Sequence, residues 1–213
     1  MLVVLLASAS ARRREWLSER LRDTGAALEV TSLLAPEPPP VSGLAVRTQV
    51  EQTCLSKAHA AVMELTVGGS HESPDFTLVA DTLVEDPDDP LVPLGKPSNK
   101  ASAMAMLLRL SGRRHRVWSS TAILQPPGET RGTEALHGGW TADVWTEASI
   151  VEFDELDDER VIGLIESESW TGKAGGYDMA GEARSNLRLV EGDEVTVLGF
   201  APKAIESLTG MIS

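Results

Sequence analysis

The 213 residues are 42% hydrophobic and 24% charged, ordinary globular proportions that exclude wholesale disorder and fibrous architecture. A formal net charge of −13 opposes nonspecific binding to nucleic acid polymers or anionic membranes, because both require Lys and Arg to neutralise phosphate. A small ligand is the expected partner, anionic only if basic residues converge in one cleft.

In chain order, residues 1–7 carry no preceding basic residue and are too short to span a bilayer, so residues 2–6 read as a buried strand and not a leader. Ser8 and Ser10 lie in the following turn, and Ser10 is the expected N-cap of a helix beginning at Ala11. Residues 36–40, rich in proline, break the chain after a second strand. A long helix with Val46, Val50, Cys54, Ala61 and Leu65 on one face follows. A polar loop over residues 67–75 precedes a strand over 76–84 with Asp81 inside it. A loop of Pro and Asp leads to Gly95-Lys96-Pro97, after which Ser98 is expected to cap a helix carrying Met104, Leu107 and Leu108. Residues 115–124 and 141–153 read as a hairpin with a long, mobile connection through 125–139. Residues 157–166 read as an acidic helix start whose charge is a solvated face, followed by a glycine-rich segment over 170–177 and a closing helix over 201–212. The lone Cys54 allows no intrachain disulfide and suits a reducing compartment, so the cytoplasm is expected.

Several residues look costly for structure alone. Arg12, Arg13 and Arg14 open a helix at the positive end of its dipole, roughly 0.3–1 kcal/mol unfavourable each. Spacing turns Arg12 and Arg13 toward the apolar face with Trp16 and Leu17, and Arg14 outward. A free helix N-terminus, two serines and two inward arginines suit a phosphate chain. Lys57 shares the face of Val50 and Cys54 and needs an anionic partner there. Asp81 interrupts an apolar strand and needs a metal, a cation or hydrogen bonds; it could hold Mg²⁺ or deprotonate a water. Strand alternation sends Thr82 to the opposite face from Asp81 unless the strand ends or bulges there. Lys96 stands in a rigid loop that could hold its ammonium against a phosphate oxygen. No Walker-type loop, no paired metal spacing among the histidines and no Ser/His/Asp pattern is present.

In order, Leu6-Ala-Ser-Ala-Ser-Ala-Arg-Arg13, Ser56-Lys-Ala58, Ala80-Asp-Thr-Leu-Val84, Gly95-Lys-Pro97, Leu110-Ser-Gly112 with His115, and Lys173-Ala-Gly-Gly-Tyr177 resemble the successive motifs of the Maf family. The resemblance implies one domain over residues 1–213 with an elongated, mixed central sheet flanked by helices. Its two lobes would surround a nucleotide cleft, as in inosine triphosphatases. It further implies a homodimer, Mg²⁺ or Mn²⁺, and hydrolysis of a nucleoside triphosphate to a monophosphate and pyrophosphate. Matched by position, Asp81 is the proton acceptor, with Lys57 and Lys96 beside it in the catalytic set. Ser8, Ser10, Arg12, Arg13, Thr82 and Lys173 resemble substrate-site residues, and Glu37 matches an acidic residue that joins Asp81 at a metal.

Arg12 and the Asp81-Thr82 pair resemble the branch acting on dTTP and UTP rather than the 7-methyl-GTP branch. That branch carries Gln at the position of Ala180, Pro at Ala11 and Asp at Gly172, so this chain departs from it at three places; Ala180 is expected at the base, where alanine can neither donate nor accept, and a flatter preference for dTTP and UTP follows. Two rival readings remain: a nucleotide-binding regulator of cell division with weakened turnover, and a sugar nucleotidyltransferase, whose N-terminal turn is however richer in glycine.

Overall fold

The first strand, β1 (Val3–Ala7), runs parallel to both neighbours, β2 (Ala27–Thr31) and β3 (Phe76–Glu85), which is why its residues are apolar on both faces. The computed structural model describes residues 1–68, 73–128 and 132–212. Helix α1 (Ala11–Leu21) connects β1 to β2, and the 22-residue α2 (Val46–Val67) connects β2 to β3. Past β3 the sheet turns antiparallel through β5 (Arg114–Gln125), β7 (Thr141–Phe153) and β6 (Glu134–Ala135). Two short members complete it, β4 (Pro93–Leu94) on β3 and β8 (Leu187–Glu191) on β7, making eight strands among the described residues. Helices α3 (Lys100–Leu110), α4 (Asp158–Glu166), α5 (Glu194–Leu198) and α6 (Pro202–Ile212) flank it.

Alternation along β3 distributes the core. Leu78 and Ala80 pack with Leu17 and Leu21 of α1 and with Phe200 and Leu208. Val79 faces the other way, onto Cys54, Ala58 and Val62 of α2. Farther along, Val84 joins a separate cluster with Leu107, Leu110, Phe153 and Tyr177. Asp81 and Thr82 therefore sit where the strand passes from one packed body to the next. That interval between cores is where a cleft can open without exposing apolar side chains.

The expected periodicities hold for β1, α1, α2, β3 and the β5–β7 hairpin, with ends shifted by a residue or two. Helix α3 corrects the sequence expectation at its start, because Asn99 and not Ser98 is the cap. Asn99 has extended backbone angles, its side-chain oxygen accepts from Ser102 N at 2.9 Å, and Ser102 Oγ accepts from Asn99 N at 3.1 Å. Ser98 only accepts a hydrogen bond from the Asn99 amide. Strand β8 and helix α5 were not foreseen, since Arg188 and Glu191 give β8 a polar edge character without clear alternation. The connection after β5 holds β6 and a turn at His137–Gly139, while the parts of the expected loops at residues 69–72, which include His71, and 129–131 lie outside the described residues. Among the described residues, no helix is long and apolar enough to cross a membrane.

The cap assignment is testable. Asn99→Ala should lower unfolding free energy by about 1 kcal/mol in urea titration, and Ser98→Ala by less than about 0.5 kcal/mol. Equal losses would return the cap to Ser98.

Candidate nucleotide and catalytic site

Four side chains from four segments form a charged chain along one wall. Lys57 of α2 donates to Asp81 Oδ1 at 2.6 Å and to Glu37 Oε1 at 3.1 Å, and Lys96 donates to Glu37 Oε2 at 2.6 Å. The helical spacing that put Lys57 on the buried face of α2 thus aims it at the polar residue of β3. Asp81 is 3% exposed, and its Oδ2 is buried with no protein partner. Burial pushes Asp81 above the usual carboxylate range, against the opposing pull of Lys57 and Arg13. At Glu37 burial works in the same upward direction, but the Lys96 and Lys57 ammonium groups outweigh it and bring the carboxyl down to about 2. The two neighbouring carboxyls are therefore shifted in opposite directions, Asp81 upward by burial and Glu37 downward by its two ammonium partners.

The backbone around Asp81 is fixed by Arg13. Its Nε donates to Gly199 O at 2.9 Å, Nη1 to Ala80 O at 3.0 Å and to Ser8 Oγ at 3.4 Å, and Nη2 to Thr82 Oγ1 at 2.9 Å. The guanidinium also lies 6.0 Å from the centre of the Phe200 ring. Gly199 is required for this approach: its φ is +120°, and a Cβ there would lie 2.7 Å from Arg13 Nε. Ser119 Oγ donates its one hydrogen to Thr196 O at 2.7 Å, so the Thr82 hydroxyl, 2.8 Å away, donates to Ser119. Thr82 accordingly faces away from Asp81, as strand alternation requires, and no bulge intervenes. Arg13 borders the cleft, yet nearly all of its donors are engaged within the protein; its geometry is that of a residue positioning Ala80 and Thr82 on either side of Asp81.

The opposite wall comes from α1 and the glycine-rich segment. Arg12 donates from Nε to Leu198 O and from Nη1 to Asp178 Oδ1, each at 3.0 Å, and Lys173 reaches Asp178 Oδ2 at 3.1 Å. Ser10 caps α1 by accepting from Arg13 N, and Ser8 Oγ accepts from Ser10 N. Arg14 points outward, as expected. Tyr177 packs its ring on Phe153 and shares a 2.8 Å hydrogen bond with His115, which lies beneath it in the core and not in the cleft. Burial lowers His115 from its ordinary 6.5 to about 4, against a backbone hydrogen bond at Arg113.

Between the walls lies a cleft of about 610 Å³, within the range of small-molecule sites. The structure brings Ser8, Ser10, Arg12, Arg13, Glu37, Lys57, Asp81, Thr82, Lys96 and Lys173 to its lining. Ala180 is not brought there: it is exposed, and its N–H donates to Asp178 Oδ1 at 3.0 Å. Asp178, Ser119 and Gly199 were missed in the sequence. Asp178 had a signal, because it stands between buried Tyr177 and Met179, a setting that calls for a cation just as Asp81 does. Among the described residues, no group of three or more His, Cys, Asp or Glu could hold a metal unaided. Asp81 and Glu37 nonetheless fit a hard divalent ion completed by water and substrate oxygens, and the unpartnered Asp81 Oδ2 is a free ligand for one.

Arg13→Ala should destabilise the protein by about 3 kcal/mol or more in urea, because several charged hydrogen bonds are lost and buried acceptors are orphaned. An unchanged midpoint would leave Arg13 as a substrate contact only. For His115 the unfolded chain binds a proton between pH 6.5 and 4 that the buried ring does not. Its stabilising contribution is thus complete above 6.5 and is lost as pH falls toward 4, about 3 kcal/mol in all. Relative to wild type, His115→Gln should flatten the pH dependence of stability across that window; parallel curves for the two proteins would refute this.

The model of the Maf-like protein family matches residues 3–210. A dTTP/UTP pyrophosphatase of Thermococcus gammatolerans is 34% identical over 206 residues, covering 97% of this chain and 95% of that protein. Another, from Novosphingobium aromaticivorans, is 33% identical over 197 residues, covering 92% of this chain and 85% of its own. Among solved structures, a HAM1 protein from Coxiella burnetii aligns over 100% of this chain and 98% of its own with a TM-score of 0.51 at 14% identity, a likeness of fold. With five of the six ordered motifs gathered around one cleft and the family match running almost end to end, the chain belongs to the Maf family.

Proposed function

We propose that this protein hydrolyses nucleoside triphosphates between the α- and β-phosphates, releasing a nucleoside monophosphate and pyrophosphate. The observation that carries the reading is Asp81. It is a buried carboxyl raised toward a basic role, with one oxygen on Lys57 and the other free, at the edge of a cleft lined by Arg12, Lys57, Lys96 and Lys173. In the reaction a water oxygen bonds to phosphorus, the bridging P–O bond breaks, pyrophosphate leaves, and Asp81 takes the water's proton. Lys57 holds Asp81 in place and, with Lys96, offers charge to phosphate oxygens. Asp81 and Glu37 would hold Mg²⁺ or Mn²⁺, which when bound supplies neutralisation of the phosphate charge.

Pyrimidine nucleotides are the favoured substrates, supported by the dTTP/UTP pyrophosphatases among the relatives and by Arg12 and Thr82 in the cleft wall. Ala180 lies outside the cleft lining and is therefore given no part in reading the base. A cytoplasmic location, supported by the buried unpaired thiol of Cys54, and a homodimer belong to the same proposal.

Release of pyrophosphate from a panel of nucleoside triphosphates tests the reading, with dTTP and UTP expected to be turned over and excess EDTA to abolish turnover. Asp81→Asn should cut kcat by about 10²–10⁴-fold while dTTP still binds. Wild-type kcat should fall on the acid side as Asp81 is protonated and can no longer accept the water's proton. Full turnover by the Asn variant would remove Asp81 from its role, and no pyrophosphate from any nucleotide would sink the hydrolase.

A further inference from the structure

On the α1 side of the cleft, Asp178 divides its two oxygens between two cations of that wall. Oδ1 accepts from Arg12 at 3.0 Å and Oδ2 from Lys173 at 3.1 Å, while Oδ1 also takes the Ala180 N–H at 3.0 Å. Arg12 belongs to α1 and Lys173 to the glycine-rich segment, 161 residues later, so one carboxylate ties two distant parts of the chain. Arg12 and Lys173 line the cleft and Asp178 does not. Its side chain, 15% exposed, lies behind them. Burial alone would raise its pKa, but Arg12 and Lys173 hold it below the usual range, so it is an anion at neutral pH.

Resting on the pyrophosphatase reading for its substrate class, we infer that Asp178 is a positioning residue and internal counter-charge that sets how tightly the cleft holds a polyphosphate. Two charges follow from the geometry. Arg12 and Lys173 present +2 to the cleft, and Asp178 returns the local sum to +1. A phosphate oxygen approaching from the cleft competes with the carboxylate for the same N–H donors. Arg12 keeps its direction without Asp178 because Leu198 O holds its Nε. Among the described residues Lys173 has no second anchor of that kind and depends on Asp178 for its aim. Removing the carboxylate should therefore strengthen attraction for a polyanion while loosening the alignment of Lys173. The two effects point in opposite directions for binding and for turnover. The charge effect governs the binding of a small, symmetric polyanion that needs little alignment; the alignment effect governs kcat.

The test uses inorganic pyrophosphate as probe and the full-length chain. Asp178→Asn keeps the shape and removes the charge, and Asp178→Ser is a second variant should the first fold poorly. Calorimetric titration should show pyrophosphate binding about three- to tenfold tighter in either variant, the size expected of one unit charge acting through a partly solvated wall. The gain should shrink between 50 mM and 500 mM salt, and kcat for dTTP should fall. Asp23→Asn, exposed at the far end of α1, changes net charge equally and should bind pyrophosphate like wild type. Affinity that is unchanged or weaker in the Asp178 variants, a gain indifferent to salt, or the same gain in Asp23→Asn overturns the inference. These are binding measurements, so they decide the matter even if wild type releases no pyrophosphate from any nucleotide, the outcome that would overturn the hydrolase reading instead.

Discussion

Burying a carboxylate in the middle of an apolar strand costs several kcal/mol unless the protein surrounds it with compensation, and the compensation for Asp81 organises this molecule. Lys57 must come from α2, so the helix has to run along β3 with its lysine one turn from Cys54 and flanked by small residues such as Ala58 and Ala61. Lys57 in turn needs Glu37, and Glu37 draws in Lys96, so the proline-rich loop after β2 and the loop before α3 are tied to the same point. On the other face, Arg13 grips the carbonyl before Asp81 and the hydroxyl after it. The compensation is incomplete at one atom, Asp81 Oδ2, and an incompletely satisfied polar group held this firmly is what a reacting water or a metal ion can use.

Arg13 shows why stability and chemistry are hard to separate here. A guanidinium with its donors spent inside the protein cannot move toward a ligand without breaking the contacts that seat Gly199 and β3. Arg12, one residue earlier, has the opposite character, with two internal bonds, one of them to a carboxylate that a phosphate can replace. Adjacent arginines at a helix start thus divide the work. One fixes the frame and the other keeps a donor group facing the cleft, and the division follows from which of them turns toward Phe200 and the core.

Much of the fold was legible because its signals are local: strand alternation through β3, the helical stripe of α2 and the serine cap of α1 each lie within a few residues. The site was legible for a different reason, the cost of placing charge on an apolar face, which singled out Asp81, Lys57 and the arginine run. That cost says a partner exists and not which one. Arg13 finds its partners 67 and 186 residues away, and Arg12 reaches Asp178 across 166. Sequence spacing therefore could not distinguish the arginine that holds the fold from the one at the cleft. Ser98 and Asn99 are equally good caps by residue type, and only the extended backbone of Asn99 decides between them. Ala180 was placed at the base by matching a motif, whereas the side chain after Tyr177 that the protein turns inward to its cations is that of Asp178.

The distribution of charge explains how a chain of net charge −13 can favour a polyanion. Arg12, Arg13, Lys57, Lys96 and Lys173 converge on one cleft, against Asp81, Glu37 and Asp178. Most of the other acidic residues among the described ones are partly or fully exposed, where their charge is screened within about 10 Å at ordinary salt. The cleft's own carboxylates do more than cancel charge. Glu37 spans Lys57 and Lys96, and Asp178 spans Arg12 and Lys173, each carboxylate occupying the space between two cations that a phosphate group also fits. A cation held by a carboxylate keeps a direction that a solvated side chain would lose, so the cost of ordering these long side chains is met when the protein folds and not when the nucleotide arrives. Exchange of carboxylate for phosphate then substitutes one charged hydrogen bond for another. Binding gains only the difference, which favours release of pyrophosphate over its retention.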